Sequence, residues 1–195
     1  MESHESTPVK VGVVGLGRSG WDIHCAHLAE SDRFELVAVA DPLKERRDEA
    51  VETRGVRRAY ATPEELFADD EVELVVIATP SHTHKELAIK ALEAGKHVQV
   101  EKPFALNAAE ADEMIAKAKA VGKLITCFQN RRADPDFLEV KRIIESGLLG
   151  RVFFVRVGNY RYDRRRDWQT LTRLGGGMLN NWGAHRIDQA LILLG

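Results

Sequence analysis

Three glycines near the start of the chain, spaced as Gly15-x-Gly17-x-x-Gly20, restrict the fold more than any other sequence feature. They follow a short apolar run that includes Val11, and an apolar pattern of helical spacing comes after them. In such a strand–turn–helix unit the first glycine permits the tight turn and the second lets a pyrophosphate approach the backbone. The third lets the helix pack against its strand, and the helix N-terminus offers N–H groups to the phosphates. The predicted cofactor-binding residues of this turn are Gly15, Leu16, Gly17, Arg18, Ser19 and Gly20.

An acidic residue after the next predicted strand supports a dinucleotide site. The run 34–40 is apolar and ends at Asp41, 21 positions after Gly20. An aspartate there accepts hydrogen bonds from the 2′-hydroxyl of a ribose and repels a 2′-phosphate, which favours NAD. Lys44, Arg46 and Arg47 follow within two helical turns and would tolerate a 2′-phosphate, so NADP stays open.

Strands and helices are predicted to alternate up to residue 128. After the first strand, the predicted strands are residues 34–40, 56–60, 73–78, 97–100 and 124–128. The predicted helices are residues 21–30, 43–54, 82–94 and 107–121, with a small one beginning at the capping box Thr62–Glu65. This alternation predicts an α/β fold, a Rossmann-type doubly wound parallel sheet that forms an NAD(P)-binding domain over residues 8–128.

The pattern changes beyond residue 130. It predicts a helix over 135–146, one long strand over 151–160 and a final amphipathic helix that ends in the apolar run 191–194. One strand and two helices cannot close a sheet-based core. We therefore expect residues 129–195 to be the start of an α+β substrate and oligomerisation domain, with the remainder absent. We expect this chain either to be a truncated product or to dimerise through the exposed strand.

Composition limits the class of protein. The chain is 44% hydrophobic and 30% charged, which suits a folded core, and its net charge of −2 gives no general attraction to nucleic acid or membrane. Neither a membrane-length apolar run nor a signal-peptide core is evident. Cys25 and Cys127 lie far apart in apolar patterns. Two buried free thiols, and hence a cytoplasmic location, are expected.

Four further motifs carry a family resemblance: Ala78-Thr-Pro-Ser-His-Thr-His84, Glu101-Lys-Pro-Phe104, Gln129-Asn-Arg-Arg132 and the segment from Gly175-Gly-Gly to His185-Arg-Ile-Asp188. With the glycine turn they resemble the Gfo/Idh/MocA oxidoreductases, the group of glucose–fructose oxidoreductase and inositol dehydrogenase. The resemblance runs from Val9 to the last residue. It implies an NAD(P)-dependent dehydrogenase acting on a CH–OH group of a sugar, an inositol or a related polyol, and a homo-oligomer. The further cofactor contacts that it implies are Ala78, Thr79, Pro80, His82, His84, Glu101, Lys102 and Gln129.

Lys102 follows an apolar strand, so it lies at the carboxyl edge of the predicted sheet, where ligands bind in open α/β folds. Pro103 fixes the backbone beside it. A lysine close to a bound nicotinamide can hydrogen-bond a substrate oxygen and share in proton transfer. The alternative is a surface lysine paired with Glu101. Similarity to the family favours the catalytic role.

Asn181 and His185 are spaced i and i+4, on one face of the last predicted helix. Histidine exchanges a proton near neutral pH, as the oxidation of a secondary alcohol requires. The family usually has an aspartate where Asn181 stands, and asparagine positions a hydroxyl but carries no proton. The proton relay is therefore assigned to His185 and Lys102. A capping asparagine with a structural histidine is the alternative, and Asp188 either orients His185 or forms a salt bridge.

The remaining candidates are weaker. Predicted substrate-binding residues are Arg131, Trp168, Asn181 and His185. No metal site is predicted, because the histidine pairs His24/His27 and His82/His84 lack further ligands nearby. The arginines 161, 164, 165, 166 and 173 indicate a solvated loop or a subunit contact, or else a phosphorylated or carboxylated substrate. A dinucleotide-binding sensor without turnover is the rival function, and Asn181 is its main support.

Overall fold

The computed structural model describes residues 7–160, residue 162 and residues 164–195, and it divides the chain into two compact units. The N-terminal unit ends at Cys127, and the C-terminal unit is Phe128–Gly195. None of the helices in the described part of the chain is long and apolar enough to cross a membrane.

The N-terminal unit contains one six-stranded sheet in which every strand pair is parallel. Its strands are β1 (Val9–Val14), β2 (Phe34–Ala40), β3 (Arg58–Tyr60), β4 (Leu74–Ile77), β5 (His97–Val100) and β6 (Ile125–Cys127). Their spatial order is β3-β2-β1-β4-β5-β6. The order reverses between β1 and β4, so the crevice at their carboxyl ends is the expected ligand site. The predicted Rossmann-type fold is confirmed.

Helices cover both faces of this sheet. They are α1 (Ala26–Ala29), α2 (Lys44–Arg54), α3 (Pro63–Phe67), α4 (His84–Glu93) and α5 (Ala108–Ala120), with a 3₁₀ turn at Ser81–Thr83. Alternate residues of β1 serve the two faces: Val11 and Val13 pack with Cys25 and Ala50, whereas Val14 packs with Leu92 and Met114. Strands covered on both faces are apolar throughout, and this explains why the sequence shows continuous apolar runs.

The first helix begins earlier than the apolar pattern predicts, and its first turns are wider than those of an α-helix. A π-helical segment, Ser19–Cys25, leads directly into α1. It starts at the residue before Gly20, whereas the predicted helix began at Trp21. Such wide turns are rare, and they are frequently found at functional sites.

The C-terminal unit is helical. It contains α6 (Pro135–Glu145), α7 (Ala184–Leu194), a π-helical segment Leu179–Gly183, and 3₁₀ turns at Asn130–Ala133, Trp168–Thr170 and Thr172–Leu174. The predicted strand over 151–160 is not formed: these residues have no strand structure, because no described segment pairs with them. Phe153 and Phe154 are 86% and 72% exposed as a result. The prediction of a strand at 151–160 was therefore wrong for this structure, since a strand needs a neighbouring strand to pair with.

Candidate functional site

The glycine turn lies at the switch point between β1 and β4. Gly15 has a φ of 89°, a left-handed conformation that glycine adopts without steric cost, and its N–H donates to the Ala40 carbonyl at 2.8 Å. A Cβ on Gly15 would lie 3.0 Å from the carbonyl oxygen of Ala78. The turn therefore packs directly against the loop that follows β4.

Gly17 and Gly20 differ in what surrounds them. A Cβ on Gly17 would meet no atom within 4 Å, so the space beside this backbone is open. A Cβ on Gly20 would overlap the carbonyl oxygen of Gly15, so here the helix packs against the turn too closely for any side chain. Arg18, exposed beside them, makes no side-chain capping hydrogen bond. An open approach at Gly17 beside a helix N-terminus fits a dinucleotide pyrophosphate.

Asp41 joins two loops at this edge. It is only 3% exposed. Its Oδ2 accepts the Leu16 N–H at 2.8 Å and its Oδ1 accepts the Leu43 N–H at 2.9 Å. Arg46 donates to Oδ2 at 3.2 Å. The aspartate thus orders the glycine turn, a structural role that the sequence did not predict, and its charge is partly compensated by Arg46.

The loop after β4 holds the next predicted contacts. Ala78 still donates to Val14 of β1 at 2.8 Å, and Pro80 leads into the turn Ser81–Thr83, which leaves His82 exposed. The hydroxyl groups of Thr79 and Thr83 are 2.7 Å apart. Cofactor contacts by Ala78, Thr79, Pro80 and His82 stay predictions.

His84 is 1% exposed, inside the N-terminal unit. Its Nδ1 lies 2.8 Å from the Pro103 carbonyl oxygen and its Nε2 lies 3.0 Å from the Thr79 carbonyl oxygen. Burial lowers the pKa of His84 below its usual value, although the two carbonyls and the charge of Glu101 favour the protonated ring. His84 connects the loops after β4 and β5. Its predicted cofactor contact also stays a prediction.

Glu101 directly follows β5 and is 6% exposed. Its Oε1 lies 3.0 Å from Nε2 of His24, and its Oε2 accepts the backbone N–H of Lys102 at 3.0 Å. Burial raises the pKa of Glu101, but the hydrogen bond and charge of His24, together with Lys102, bring the pKa below its usual value. Lys102 itself is half-buried, and the peptide bond between it and Pro103 is cis.

The contact between His24 and Glu101 was not predicted from the sequence. It presented His24 and His27 as a short-spaced pair, but His27 Nδ1 faces the Ile23 carbonyl oxygen at 2.7 Å. In the described residues no group of three or more His, Cys, Asp or Glu side chains could hold a metal ion.

The C-terminal unit brings His185 and Gln129 together. His185 is 5% exposed, and its Nδ1 lies 3.2 Å from Oε1 of Gln129, whose Nε2 donates to the Ala184 carbonyl at 3.3 Å. Because the amide oxygen only accepts, Nδ1 carries the proton in this arrangement, and Nε2 of the neutral ring is a proton acceptor. Gln129, predicted as a cofactor contact, therefore orients the predicted catalytic histidine in this structure.

Trp182 is a neighbour of His185, whereas the sequence favoured Trp168 as the tryptophan that faces the substrate. The two rings meet edge to face with centroids 6.2 Å apart, and the Arg131 guanidinium lies 4.8 Å above the indole. Arg131 also pairs with Asp134 at 2.8 Å. Trp182 precedes His185 by three residues, and residues spaced i and i+3 share a helix face. This spacing was the sequence feature that could have indicated the contact.

The segment around Asn181 is not the α-helix that the spacing assumed. Asn181 lies in the π-helical segment, and its N–H donates to the Gly177 carbonyl at 2.9 Å. Asp188 forms an ion pair with Arg132, whose Nε lies 2.8 Å from Oδ2. Of the two roles considered for Asp188, the salt bridge is the one observed.

Trp168 begins the turn Trp168–Thr170 and is half-buried, and its substrate role stays a prediction. Among the arginines near it, Arg165 pairs with Asp167 at 2.7 Å, whereas Arg164, Arg166 and Arg173 are exposed. This agrees with a solvated loop. Arg161 lies outside the described residues.

Comparisons with known proteins identify the family. Residues 9–129 match the profile of an oxidoreductase family with an NAD-binding Rossmann fold, and residues 137–195 match the GFO/IDH/MocA C-terminal domain.

The solved structure of an NAD-binding protein from Listeria innocua is 39% identical to this chain. Its TM-score is 0.85, and the match covers 95% of this chain and 54% of that one. The myo-inositol 2-dehydrogenase of Thermotoga maritima is 34% identical over 96% of this chain and 55% of its own length. The NADP⁺-dependent scyllo-inositol 2-dehydrogenase of Bacillus subtilis is 32% identical over 96% and 52%. The chain therefore spans about half the length of these relatives, and it belongs to the Gfo/Idh/MocA family of NAD-binding oxidoreductases.

Proposed function

We propose that this protein is an NAD(P)-dependent dehydrogenase that oxidises a secondary alcohol of a sugar, an inositol or a related polyol. One observation in the N-terminal unit carries the proposal. An open glycine turn lies at the switch point of the sheet, and Lys102 lies at the carboxyl end of β5. Relatives named as inositol dehydrogenases support the substrate class. When bound, a nicotinamide would supply the hydride acceptor.

The chain's own residues have distinct roles in this proposal. Lys102 hydrogen-bonds the substrate oxygen, and His185 accepts the hydroxyl proton at Nε2 while Gln129 holds Nδ1. Asn181 positions a second hydroxyl group. Because asparagine replaces the usual acid of the family, the negative charge that would stabilise protonated His185 is missing at this position. We expect the proton transfer to depend on His185 and Lys102 alone.

Deuterium transfer tests the proposed reaction. We expect a polyol deuterated at its carbinol carbon to give deuterium-labelled NADH, detected by mass spectrometry, when the chain is incubated with NAD and a panel of inositols and sugars. Tight NAD binding with no labelling across the panel would instead favour the rival function, a dinucleotide-binding sensor.

Cofactor preference depends on the charges around Asp41. NAD is the proposed cofactor, because Asp41 accepts ribose hydroxyl groups and repels a 2′-phosphate. Arg46, 3.2 Å from Asp41 Oδ2, reduces that repulsion and offers donors to a phosphate. The arrangement is consistent with a family whose members use NAD or NADP.

The variant Arg46→Ala is expected to lower NADP affinity about tenfold and to change NAD affinity by less than about threefold, since one charge-assisted pair contributes on the order of 1.5 kcal/mol. Titration calorimetry with both cofactors measures this. Arg57→Ala is the matched control, because Arg57 is exposed and pairs with Glu35 and Glu71 rather than Asp41. An equal loss for both cofactors would contradict the assignment.

The protein is also proposed to be a cytoplasmic homo-oligomer that binds neither nucleic acid nor membrane. Cys25 and Cys127 are not joined in a disulfide, which supports a reducing compartment, although Cys127 is half-buried rather than buried as expected. Burial raises the pKa of Cys25 to about 12, which makes that thiol unreactive. Large exposed apolar side chains in the C-terminal unit, such as Phe153 and Leu191, support self-association. A single monomeric species in size-exclusion chromatography would contradict the oligomer.

A further inference from the structure

Both neighbours of Lys102 in the chain are held by buried histidines. Glu101, before it, contacts His24, and Pro103, after it, contacts His84. These histidines are 5% and 1% exposed. Neither takes part in the proposed proton transfer. Their placement therefore raises the question of what they do for the lysine between them.

The Glu101 carboxylate connects a helix with the Lys102 peptide. Burial raises its pKa, but His24 and Lys102 bring the pKa below the usual value, so the carboxylate is ionised at neutral pH and only accepts hydrogen bonds. The Nε2 of His24 therefore donates to Oε1 at 3.0 Å. The other oxygen, Oε2, accepts the Lys102 N–H at 3.0 Å. Both oxygens are used, and the peptide that begins Lys102 is fixed in orientation.

His24 belongs to the helix that begins at the glycine turn. It lies four residues after Gly20, near the end of the π-helical segment Ser19–Cys25, and its side chain is 4% exposed. Because a π-helix is bonded from i to i+5, its turns are wide, and His24 lies close to one full turn after Gly20. The helix that begins at the glycine turn thus also determines where Glu101 is held.

We propose that His24 is a positioning residue for Lys102: through the Glu101 carboxylate it fixes the Lys102 backbone relative to the helix that binds the cofactor phosphates. The inference rests on the proposed catalytic role of Lys102. Misplacing a reacting group by about 1 Å costs up to about 100-fold in rate, so loss of this link lowers turnover without removing the cofactor site.

The pair His24→Gln and His24→Met tests the role. Glutamine retains an N–H donor at the position of Nε2, whereas methionine has a similar length and no donor. Backbone hydrogen exchange at Lys102, followed by NMR on the full chain, reports the link without any turnover. We expect exchange to be at least about tenfold faster in His24→Met and close to wild type in His24→Gln, with Val98 of β5, which donates to Leu124, unchanged in both.

Turnover supplies the second readout. With a substrate found in the deuterium screen, His24→Met is expected to lower kcat about 10- to 100-fold with NAD affinity within about threefold, and His24→Gln is expected to restore most of kcat. His27→Gln is the control, because His27 is exposed and its Nδ1 faces the Ile23 carbonyl oxygen of its own helix.

Several results would overturn the inference. They are unchanged Lys102 exchange in His24→Met, equal losses in the methionine and glutamine variants, and faster exchange at Val98 as well, which would indicate general loosening. The test separates the two proposals. Faster Lys102 exchange together with full activity in a Lys102 variant would leave the link standing and remove the catalytic role.

Discussion

The variant Gly20→Ala is expected to destabilise the N-terminal unit severely, whereas Gly17→Ala is expected to leave the fold intact and to weaken dinucleotide binding. The two substitutions add the same methyl group to the same turn, three residues apart. They differ in what the new Cβ meets. This makes them a matched pair that separates folding from binding.

At Gly20 the new Cβ would overlap the backbone carbonyl of Gly15, and a backbone atom cannot rotate away as a side chain does. Either the helix moves off the turn or the turn opens, and overpacking of this kind costs about 3 kcal/mol or more. At Gly17 no atom lies within 4 Å of the new Cβ. The methyl group instead occupies the space through which a pyrophosphate would approach.

Chemical denaturation and calorimetry measure the two effects. We expect Gly20→Ala to lower the free energy of unfolding by at least about 3 kcal/mol, and Gly17→Ala to change it by less than about 1 kcal/mol while NAD affinity falls at least about tenfold. Wild-type NAD affinity in a stable Gly17→Ala protein would show that the phosphates bind elsewhere.

Local signals in the sequence predicted much of the N-terminal unit. The run 97–100 is the observed β5, and the predicted capping box of Thr62 and Glu65 is confirmed. Asn107, at the start of the predicted helix 107–121, caps α5, since its Oδ1 accepts the Glu110 N–H at 3.0 Å. These features depend on residues within one turn or one strand, which is the range over which sequence patterns are informative.

Features that depend on distant partners could not be predicted. His24 and Glu101 are 77 positions apart, and nothing in either segment indicates the other. The strand expected at 151–160 is not formed for a related reason, because a local sequence pattern favours a strand without specifying the strand that must pair with it. The π-helical segment at Leu179–Gly183 was also missed, since its i and i+4 spacing resembles that of an α-helix.

The variant Lys102→Met is expected to lower turnover about 10²- to 10⁴-fold, the range attributed to one acid–base group. The substrate for this measurement is a polyol found in the deuterium screen. NAD affinity is expected to stay within about threefold, because the phosphate-binding turn is untouched. Rates at saturating cofactor, with calorimetry for binding, measure both quantities. Lys85→Met is the control: Lys85 lies on α4 in the same unit and pairs at the surface with Glu113, a contact whose loss costs on the order of 1 kcal/mol or less.

A second variant separates the charge of Lys102 from its proton. Arginine retains the positive charge and donates hydrogen bonds, but it does not release a proton in the range where an amine does. If Lys102 transfers a proton, Lys102→Arg should recover substrate affinity and leave kcat low. If the lysine only stabilises charge on the substrate oxygen, Lys102→Arg should recover kcat as well, and the proton relay would then depend on His185 alone.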